Sequence, residues 1–188
     1  VITAFGRCGA PTGAHAFGVV PDILNVAKQI TNGAIPMGAV IARKEIYDTF
    51  MAQDTPEHLI EFFHGYTYSA HPVACAAALA TLDLLAEEQL FDRVARKAPV
   101  LGDAIHALQG APSVADVRNY GFAAAITLEA KDGDPTRRPF EVAMRMWEKG
   151  YYVRYGGDTI QLGLPFVIDD AQIDELCSVL HDTVRELA

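Results

Sequence analysis

The sequence predicts a protein of mixed helices and strands, with a small α+β unit in its second half. Three observations predict this class. Short apolar runs alternate with Gly and Pro in residues 1–68, Ala- and Leu-rich stretches fill residues 73–108, and strand and helix patterns are mixed after residue 110. Hydrophobic residues are 51% of the 188 residues and charged residues 21%, which supports a packed core and excludes a disordered segment.

The first part of the chain predicts two strands and a short helix. Residues 22–27 (DILNVA) form an apolar run that predicts a buried strand, and residues 28–33 contain an Asn-Gly turn and predict a loop. Residues 34–42 (AIPMGAVIA) predict a turn that leads into a second strand. A short helix follows through Phe50.

Two helices are predicted in the middle of the chain. Ser69 is a candidate N-cap, and the run from Val73 to Gln89 has almost no polar residue before Glu87, which predicts a helix buried on most of its faces. A second helix spans about residues 91–108. We expect Pro99 to kink it, break it or divide it into two helices.

The second half alternates strand and helix patterns. The predicted elements are strands at residues 114–118 and 122–128, a helix at 139–149, strands at 151–155 and 159–164, and a last helix that opens at Asp169 and Asp170. We place a domain boundary between residues 89 and 101, so that residues 1–95 form one domain and residues 96–188 a small α+β domain.

Charge and cysteine content exclude several functions. The net charge of −9 argues against nucleic-acid binding and against docking on an anionic membrane, and no apolar run has the length of a membrane span. Cys8, Cys75 and Cys177 are too few and too widely spaced for a disulfide framework or a zinc site, so we expect a reducing, cytoplasmic location and no bound metal. The start lacks an initiator Met and a signal pattern, so we expect a piece of a longer polypeptide.

Lys28 is the first candidate for chemistry. It directly follows the apolar strand and precedes a loop with Gly and Pro, a position from which a lysine can project into a cleft. Burial there favours the neutral, nucleophilic amine, which can form a Schiff base with an aldehyde cofactor. The alternative interpretation is a strand-end lysine that simply reaches water.

Two further stretches suggest anion recognition. Residues 64–72 (HGYTYSAHP) place hydroxyl groups before a helix start, which suits a phosphate, although an ordinary helix cap explains them equally well. Arg154 lies in an apolar and aromatic strand, and its planar guanidinium suits a carboxylate. If strands 151–155 and 159–164 pair, Gln161 lies close to it. The alternative is a surface arginine in an edge strand, and Arg7, in a Gly-flanked turn, could hold carbonyls or a carboxylate near the site.

Four segments together resemble the class III pyridoxal-phosphate-dependent aminotransferases. They are residues 1–7 (VITAFGR), 27–40 (AKQITNGAIPMGAV), 64–75 (HGYTYSAHPVAC) and 152–161 (YVRYGGDTIQ), in the order that the family has them. Within that family the chain is most similar to the β-alanine–pyruvate, or ω-amino acid–pyruvate, group. The resemblance implies an α/β fold: the C-terminal part of a fold-type I transferase, with part of the large cofactor-binding domain (1–95) and the small α+β domain (96–188).

The resemblance also implies roles for four residues. Lys28 matches the lysine that binds pyridoxal 5′-phosphate as a Schiff base and shuttles the proton, and Thr67 matches a threonine that binds the cofactor phosphate across a dimer interface. Arg154 matches the arginine that binds a substrate carboxylate, and Gln161 a second substrate contact. The implied reaction moves an amino group from an ω-amino acid or amine to pyruvate in a homodimer or homotetramer, giving L-alanine and a semialdehyde or ketone.

Two alternatives stay open at this point. In the family, an acidic pair, a phosphate-binding loop and a stacking aromatic residue precede the segment that begins at Val1, so the 188 residues alone could be a catalytically silent module, and we expect them to be inactive alone. The chain could also belong to another class III amine–pyruvate transaminase or to an aminomutase, because Arg154 and Gln161 do not select among ω-amino acids.

Overall fold

The computed structural model describes residues 1–188 and contains six α-helices and two antiparallel sheets. In chain order the elements are α1 (Gly13–Ala16), β1 (Ile23–Ala27), a 3₁₀ turn (Lys28–Thr31), β2 (Gly38–Ala42), α2 (Lys44–Met51), α3 (Pro72–Glu87), α4 (Leu90–His106), β3 (Val114–Tyr120), β4 (Ala123–Leu128), α5 (Arg137–Glu148), β5 (Arg154–Gly156), β6 (Thr159–Gly163) and α6 (Asp170–Glu186).

The first sheet is a two-stranded ribbon in which β1 pairs with β2, with Val26 opposite Ala39. The two strands are where the sequence predicts them, but the expected burial of β1 is wrong. Of its five residues only Val26 is buried, because a cluster of just four buried residues packs here: Ala4, Val26, Ile30 and Ala78.

Helix α3 begins at Pro72, with His71 and not Ser69 at the N-cap position. Ser69 instead accepts a hydrogen bond from the backbone N–H of Tyr66 at 3.2 Å. The prediction that most faces of α3 are buried is also wrong. A single face is buried, formed by Ala74, Ala78, Thr81 and Leu85, because α3 packs mainly against the 3₁₀ turn and α4.

Helix α4 runs through Pro99 without interruption, so the expected break is absent. Pro99 lies on the exposed side of α4, while Val94, Leu101 and Ile105 are buried on the other side and hold the helix on the core. The domain boundary between residues 95 and 96 falls inside this helix and stays a prediction.

The second sheet has four antiparallel strands in the order β3-β4-β6-β5. Alternate residues of β4, namely Ala124, Ile126 and Leu128, are buried in a core of 24 residues to which α4, α5 and α6 also contribute. Helix α6 begins with a capping box in which the Asp169 carboxylate and the Gln172 amide each accept a backbone hydrogen bond.

The remaining differences are at element ends. Helix α5 begins two residues before the predicted Pro139, and β5 begins at Arg154, so that residues 151–153 precede the strand. None of the helices combines the length and the apolar character needed to cross a bilayer.

Candidate active site

Three of the four predicted site residues line one cavity of about 680 Å³, a volume typical of small-molecule sites. Lys28 forms part of one wall, from the turn after β1, and Arg154 and Gln161 form part of another wall, from the four-stranded sheet. The fold therefore brings together residues that lie more than 120 positions apart in the sequence.

Lys28 is positioned by an unusual backbone conformation. It is the first residue of the 3₁₀ turn after β1, and its φ of 59° lies in the left-handed region that non-glycine residues rarely adopt. The buried Thr31 fixes the turn, because its hydroxyl donates a hydrogen bond to the Ile35 carbonyl at 2.6 Å. The Lys28 side chain is exposed, so the expected burial of this lysine is wrong for these residues.

Arg154 and Gln161 are direct partners in the antiparallel pair of β5 and β6. Directly opposite residues of such a pair project their side chains to the same face of the sheet. The prediction that pairing of these two strands brings Arg154 and Gln161 close together is therefore confirmed. A guanidinium and an amide side by side form a set of donors that suits a carboxylate.

Arg7 holds backbone carbonyls beside the cavity, one of the two roles expected for it. Its Nη1 donates to the Phe122 carbonyl at 3.2 Å and also to the Leu164 carbonyl, and its guanidinium carbon lies 4.9 Å from the centre of the Phe166 ring. Burial lowers the pKa of Arg7 from its ordinary value, an effect that the neighbouring Cys8 opposes.

Thr67 does not line this cavity. It is exposed in the segment between α2 and α3, beside Tyr66, Tyr68 and Ser69, which line a separate cavity of about 450 Å³. Its role toward a cofactor held by a neighbouring subunit stays a prediction.

Sequence reasoning missed one polar pair in the cavity. The Tyr151 hydroxyl donates a hydrogen bond to the Glu175 carboxylate, and both residues line the cavity. This hydrogen bond, together with burial, raises the pKa of Tyr151. No local pattern signals the pair, because Glu175 lies in α6, 24 residues after Tyr151, and resembles any other polar residue of a helix surface.

The cysteines are all free. Burial raises the pKa of the Cys8 thiol, although the neighbouring Arg7 opposes the shift, and burial raises the pKa of Cys177 to about 11. Both thiols are therefore protonated near neutral pH and are poor nucleophiles.

Known proteins similar to this chain are aminotransferases. The chain is 56% identical to the β-alanine–pyruvate aminotransferase of Pseudomonas aeruginosa and 54% identical to the ω-amino acid–pyruvate aminotransferase of Pseudomonas putida. Each alignment covers 100% of this chain and 42% of the relative. The chain thus spans less than half the length of these relatives.

Solved structures agree with this relationship. An (S)-enantioselective ω-transaminase from Thermomicrobium roseum superposes with a TM-score of 0.89 at 32% identity, covering 100% of this chain and 42% of that one. An aminotransferase from Vibrio fluvialis gives a TM-score of 0.88 at 29% identity, with the same coverage. These likenesses confirm the predicted fold class. The sequence matches the family described as aminotransferase class-III over residues 1–184, and the chain belongs to that family.

Proposed function

We propose that the full-length protein is a pyridoxal-phosphate-dependent aminotransferase that moves an amino group from an ω-amino acid such as β-alanine to pyruvate. The products are L-alanine and a semialdehyde. One observation supports this most directly: a single cavity is lined by a lysine, an arginine and a glutamine that the family resemblance assigns to cofactor and substrate. Two relatives more than 50% identical are named for pyruvate as a substrate.

Membership of the class III family implies pyridoxal 5′-phosphate as the cofactor. The residues of the cavity fit this group. Lys28 offers a primary amine, which suits an aldehyde, and the cavity has room for a cofactor-sized molecule. When bound, the cofactor supplies an electron-withdrawing ring that stabilises negative charge on the substrate carbon that bears the amino group.

Each residue of the chain has a task in this proposal. Lys28 Nζ holds the cofactor covalently and, once released, moves the proton to and from the amine-bearing carbon. Arg154 binds the substrate carboxylate with two parallel hydrogen bonds, and the Gln161 amide adds a donor beside it. Thr67 offers a hydroxyl to the cofactor phosphate of a neighbouring subunit, so the proposed assembly is a homodimer or a homotetramer.

The recognition of two different substrates follows from one wall of the cavity. β-Alanine and pyruvate are both three-carbon acids with a carboxylate that an arginine can bind, and the reacting carbon lies one carbon farther from that carboxylate in β-alanine than in pyruvate. Holding a reactant in a productive geometry contributes a large share of catalytic acceleration. Arg154 is exposed in the edge strand β5, whose backbone is held to the sheet by pairing with β6, and β6 contributes Ile160 and Leu162 to the main core.

The test is a substrate assay on the full-length protein. Purified protein with pyridoxal phosphate, β-alanine and pyruvate is expected to form alanine and malonate semialdehyde in equal amounts, measured by chromatography. Omission of the cofactor after dialysis against a carbonyl reagent is the control and should reduce the rate. Absence of alanine with β-alanine and with longer ω-amino acids would contradict the proposal.

A further inference from the structure

We infer that Arg7 is a positioning residue that sets where Arg154 and Gln161 lie relative to Lys28, and that it thereby controls recognition of the substrate carboxylate. The inference rests on the proposed function. Arg7 lines the same cavity as the other three residues, and its Nη1 donates hydrogen bonds to two backbone carbonyls of the protein.

One Arg7 nitrogen holds the ends of the two central strands of the sheet. Phe122 directly precedes β4 and Leu164 directly follows β6, and both carbonyls accept a hydrogen bond from Arg7 Nη1. These strand ends are paired, since Ala123 lies opposite Gly163. Arg7 is therefore attached to the frame of the sheet and not to one flexible loop.

The backbone of Arg7 adds a second attachment. Its carbonyl accepts a hydrogen bond from the Phe122 N–H at 2.9 Å, so that Arg7 and Phe122 bind each other in both directions. The guanidinium also lies against the Phe166 ring at 4.9 Å. Side-chain hydrogen bonds, a backbone hydrogen bond and the contact with the Phe166 ring thus hold Arg7 in place.

The chain just before Arg7 reaches the other wall of the cavity. Ala4 is 2% exposed and belongs to the small cluster with Val26 and Ile30, the residues on either side of Lys28. Phe5 packs against this cluster and also against the main core. Four consecutive residues therefore connect the wall that holds Lys28 with the sheet that holds Arg154.

The connection to the recognition residues is short. Gln161 lies in β6, three residues before Leu164, and Arg154 is the direct cross-strand partner of Gln161. A shift of the β6 end relative to residues 4–7 therefore moves both donors relative to Lys28. Since a displacement of about 1 Å can cost on the order of 10²-fold in rate, the anchoring of this strand end matters for recognition.

The experiment measures the first half-reaction of the full-length protein with two amines. β-Alanine has a carboxylate and propylamine lacks one, and single-turnover absorbance changes give an apparent dissociation constant for each. For Arg7→Met we expect the constant for β-alanine to rise about tenfold or more and the constant for propylamine to change less than about threefold. Arg7→Lys keeps the positive charge but loses the planar guanidinium. It should raise the constant for β-alanine less than Arg7→Met does.

A second variant tests the same contact without a substitution of Arg7 itself. Gly121 has a φ of +56°, and a Cβ there would lie 2.3 Å from the Arg7 carbonyl oxygen and 2.7 Å from Cys8 Cα. Gly121→Ala must therefore push the Arg7 segment away from the sheet, and we expect the same selective loss of β-alanine affinity. Gly133→Ala is the matched control, because Gly133 has a φ of +81° with nothing within 4 Å of its added Cβ; it should leave both constants unchanged.

The outcomes separate the two claims. Faster amide hydrogen exchange at Phe122 and Leu164 in the Gly121→Ala protein, together with the selective loss, supports the positioning role. Unchanged β-alanine affinity in both variants, or equal losses for both amines, overturns it. If the unmodified protein forms no alanine from β-alanine and pyruvate, the proposed function itself fails.

Discussion

The two walls of the cavity differ in how they are packed. Lys28 lies next to a cluster of four buried residues, and most of the exposed large apolar side chains of the molecule lie in residues 1–84. Arg154 and Gln161 belong to a sheet that packs, through β4 and β6, into a core of 24 buried residues. The residue that we propose to react is thus beside the small cluster, and the residues that we propose to recognise the carboxylate are in the sheet that packs on the main core.

This difference predicts that the residues needed for activity and the residues needed for stability lie at different positions in the molecule. Lys28 is exposed and contributes little to packing, so its loss should remove activity and leave the fold unchanged. Substitution of a residue in the main core should instead destabilise the fold. The four predictions below test this separation, from the largest expected effect to the smallest, in the full-length protein.

Replacing Lys28 is expected to have the largest effect. Lys28→Ala removes the amine that we propose holds the cofactor and moves the proton, and proton transfer by a positioned group alone is worth about 10²–10⁴-fold in rate. The melting temperature should change little. Borohydride treatment followed by peptide mapping should find the pyridoxyl label on Lys28 of the unmodified protein.

The control for this variant is Lys44→Ala, because Lys44 is exposed in α2 and forms an ion pair with Asp48. It should keep full activity. A pyridoxyl label on Lys44 or Lys149 of the unmodified protein would show that the reactive lysine is assigned wrongly.

Replacing Arg154 should affect recognition of the carboxylate. A hydrogen bond to a charged group contributes about 1.5–3 kcal/mol, and 1.4 kcal/mol is tenfold, so Arg154→Ala should raise the KM for pyruvate by about tenfold or more. Amine donors without a carboxylate should lose less. Steady-state kinetics with both donor types measures the difference.

Arg118→Ala is the matched control for Arg154. Arg118 lies in β3, at the opposite edge of the same sheet, and pairs with Asp116. It should leave the KM for pyruvate unchanged. Equal losses for carboxylate and plain amine donors in Arg154→Ala would mean that Arg154 supports the fold instead.

A pair of identical substitutions compares the two cores directly. Ile126 is fully buried in the main core and Ile30 is 8% exposed in the small cluster. Ile126→Ala should lower the free energy of unfolding by about 2–5 kcal/mol, and Ile30→Ala by an amount near the bottom of that range, because the smaller cluster leaves a smaller cavity. Urea unfolding measures both, and a larger loss for Ile30 would contradict the proposed difference between the walls.

The smallest expected effect depends on pH. Hydrogen bonds from Lys131 and then from Arg137 lower the pKa of Glu141 below its ordinary value of 4.5. A carboxyl with a lowered pKa in the folded protein stabilises it above the pKa of the unfolded chain, and this contribution is lost as pH falls through the folded value.

Glu141→Gln should therefore destabilise the protein slightly at pH 7 and not at all in strongly acidic solution, as followed by thermal unfolding across pH. Glu45→Gln, at an exposed position of α2, is the control. A destabilisation of Glu141→Gln that stays constant down to strongly acidic pH would indicate a packing role for Glu141.

Local sequence patterns predicted the second half of the chain well. The three- and four-residue spacing of Ile173, Leu176, Leu180, Val184 and Leu187 predicts the apolar face of the last helix. Ile173, Leu180 and Val184 are 0–2% exposed, and Leu176 and Leu187 are partly buried against the same core. The sequence also predicts that Arg154 and Gln161 lie side by side, because a Gly-Gly-Asp turn between two short apolar runs leaves one simple way to pair them.

Burial in the first half could not be predicted in the same way. Apolar composition indicates that β1 and α3 can be buried. Which of their faces is covered depends on the elements that pack against them. The Tyr151–Glu175 pair and the carbonyls that Arg7 binds are contacts between distant positions, and no local spacing encodes them. The left-handed backbone at Lys28 could not be predicted either, because lysine is not a residue type that favours this conformation.

The four-residue cluster beside Lys28 has a consequence for motion. Proteins open locally in cooperative units, and units with few buried apolar contacts open at the lowest free energy. Residues 23–31 contribute their buried side chains to this cluster, whereas β4 and β6 contribute theirs to the main core. We therefore expect residues 23–31 to open many times for each opening of β4 and β6, so that openings of the segment that carries Lys28 limit how long the cavity stays complete.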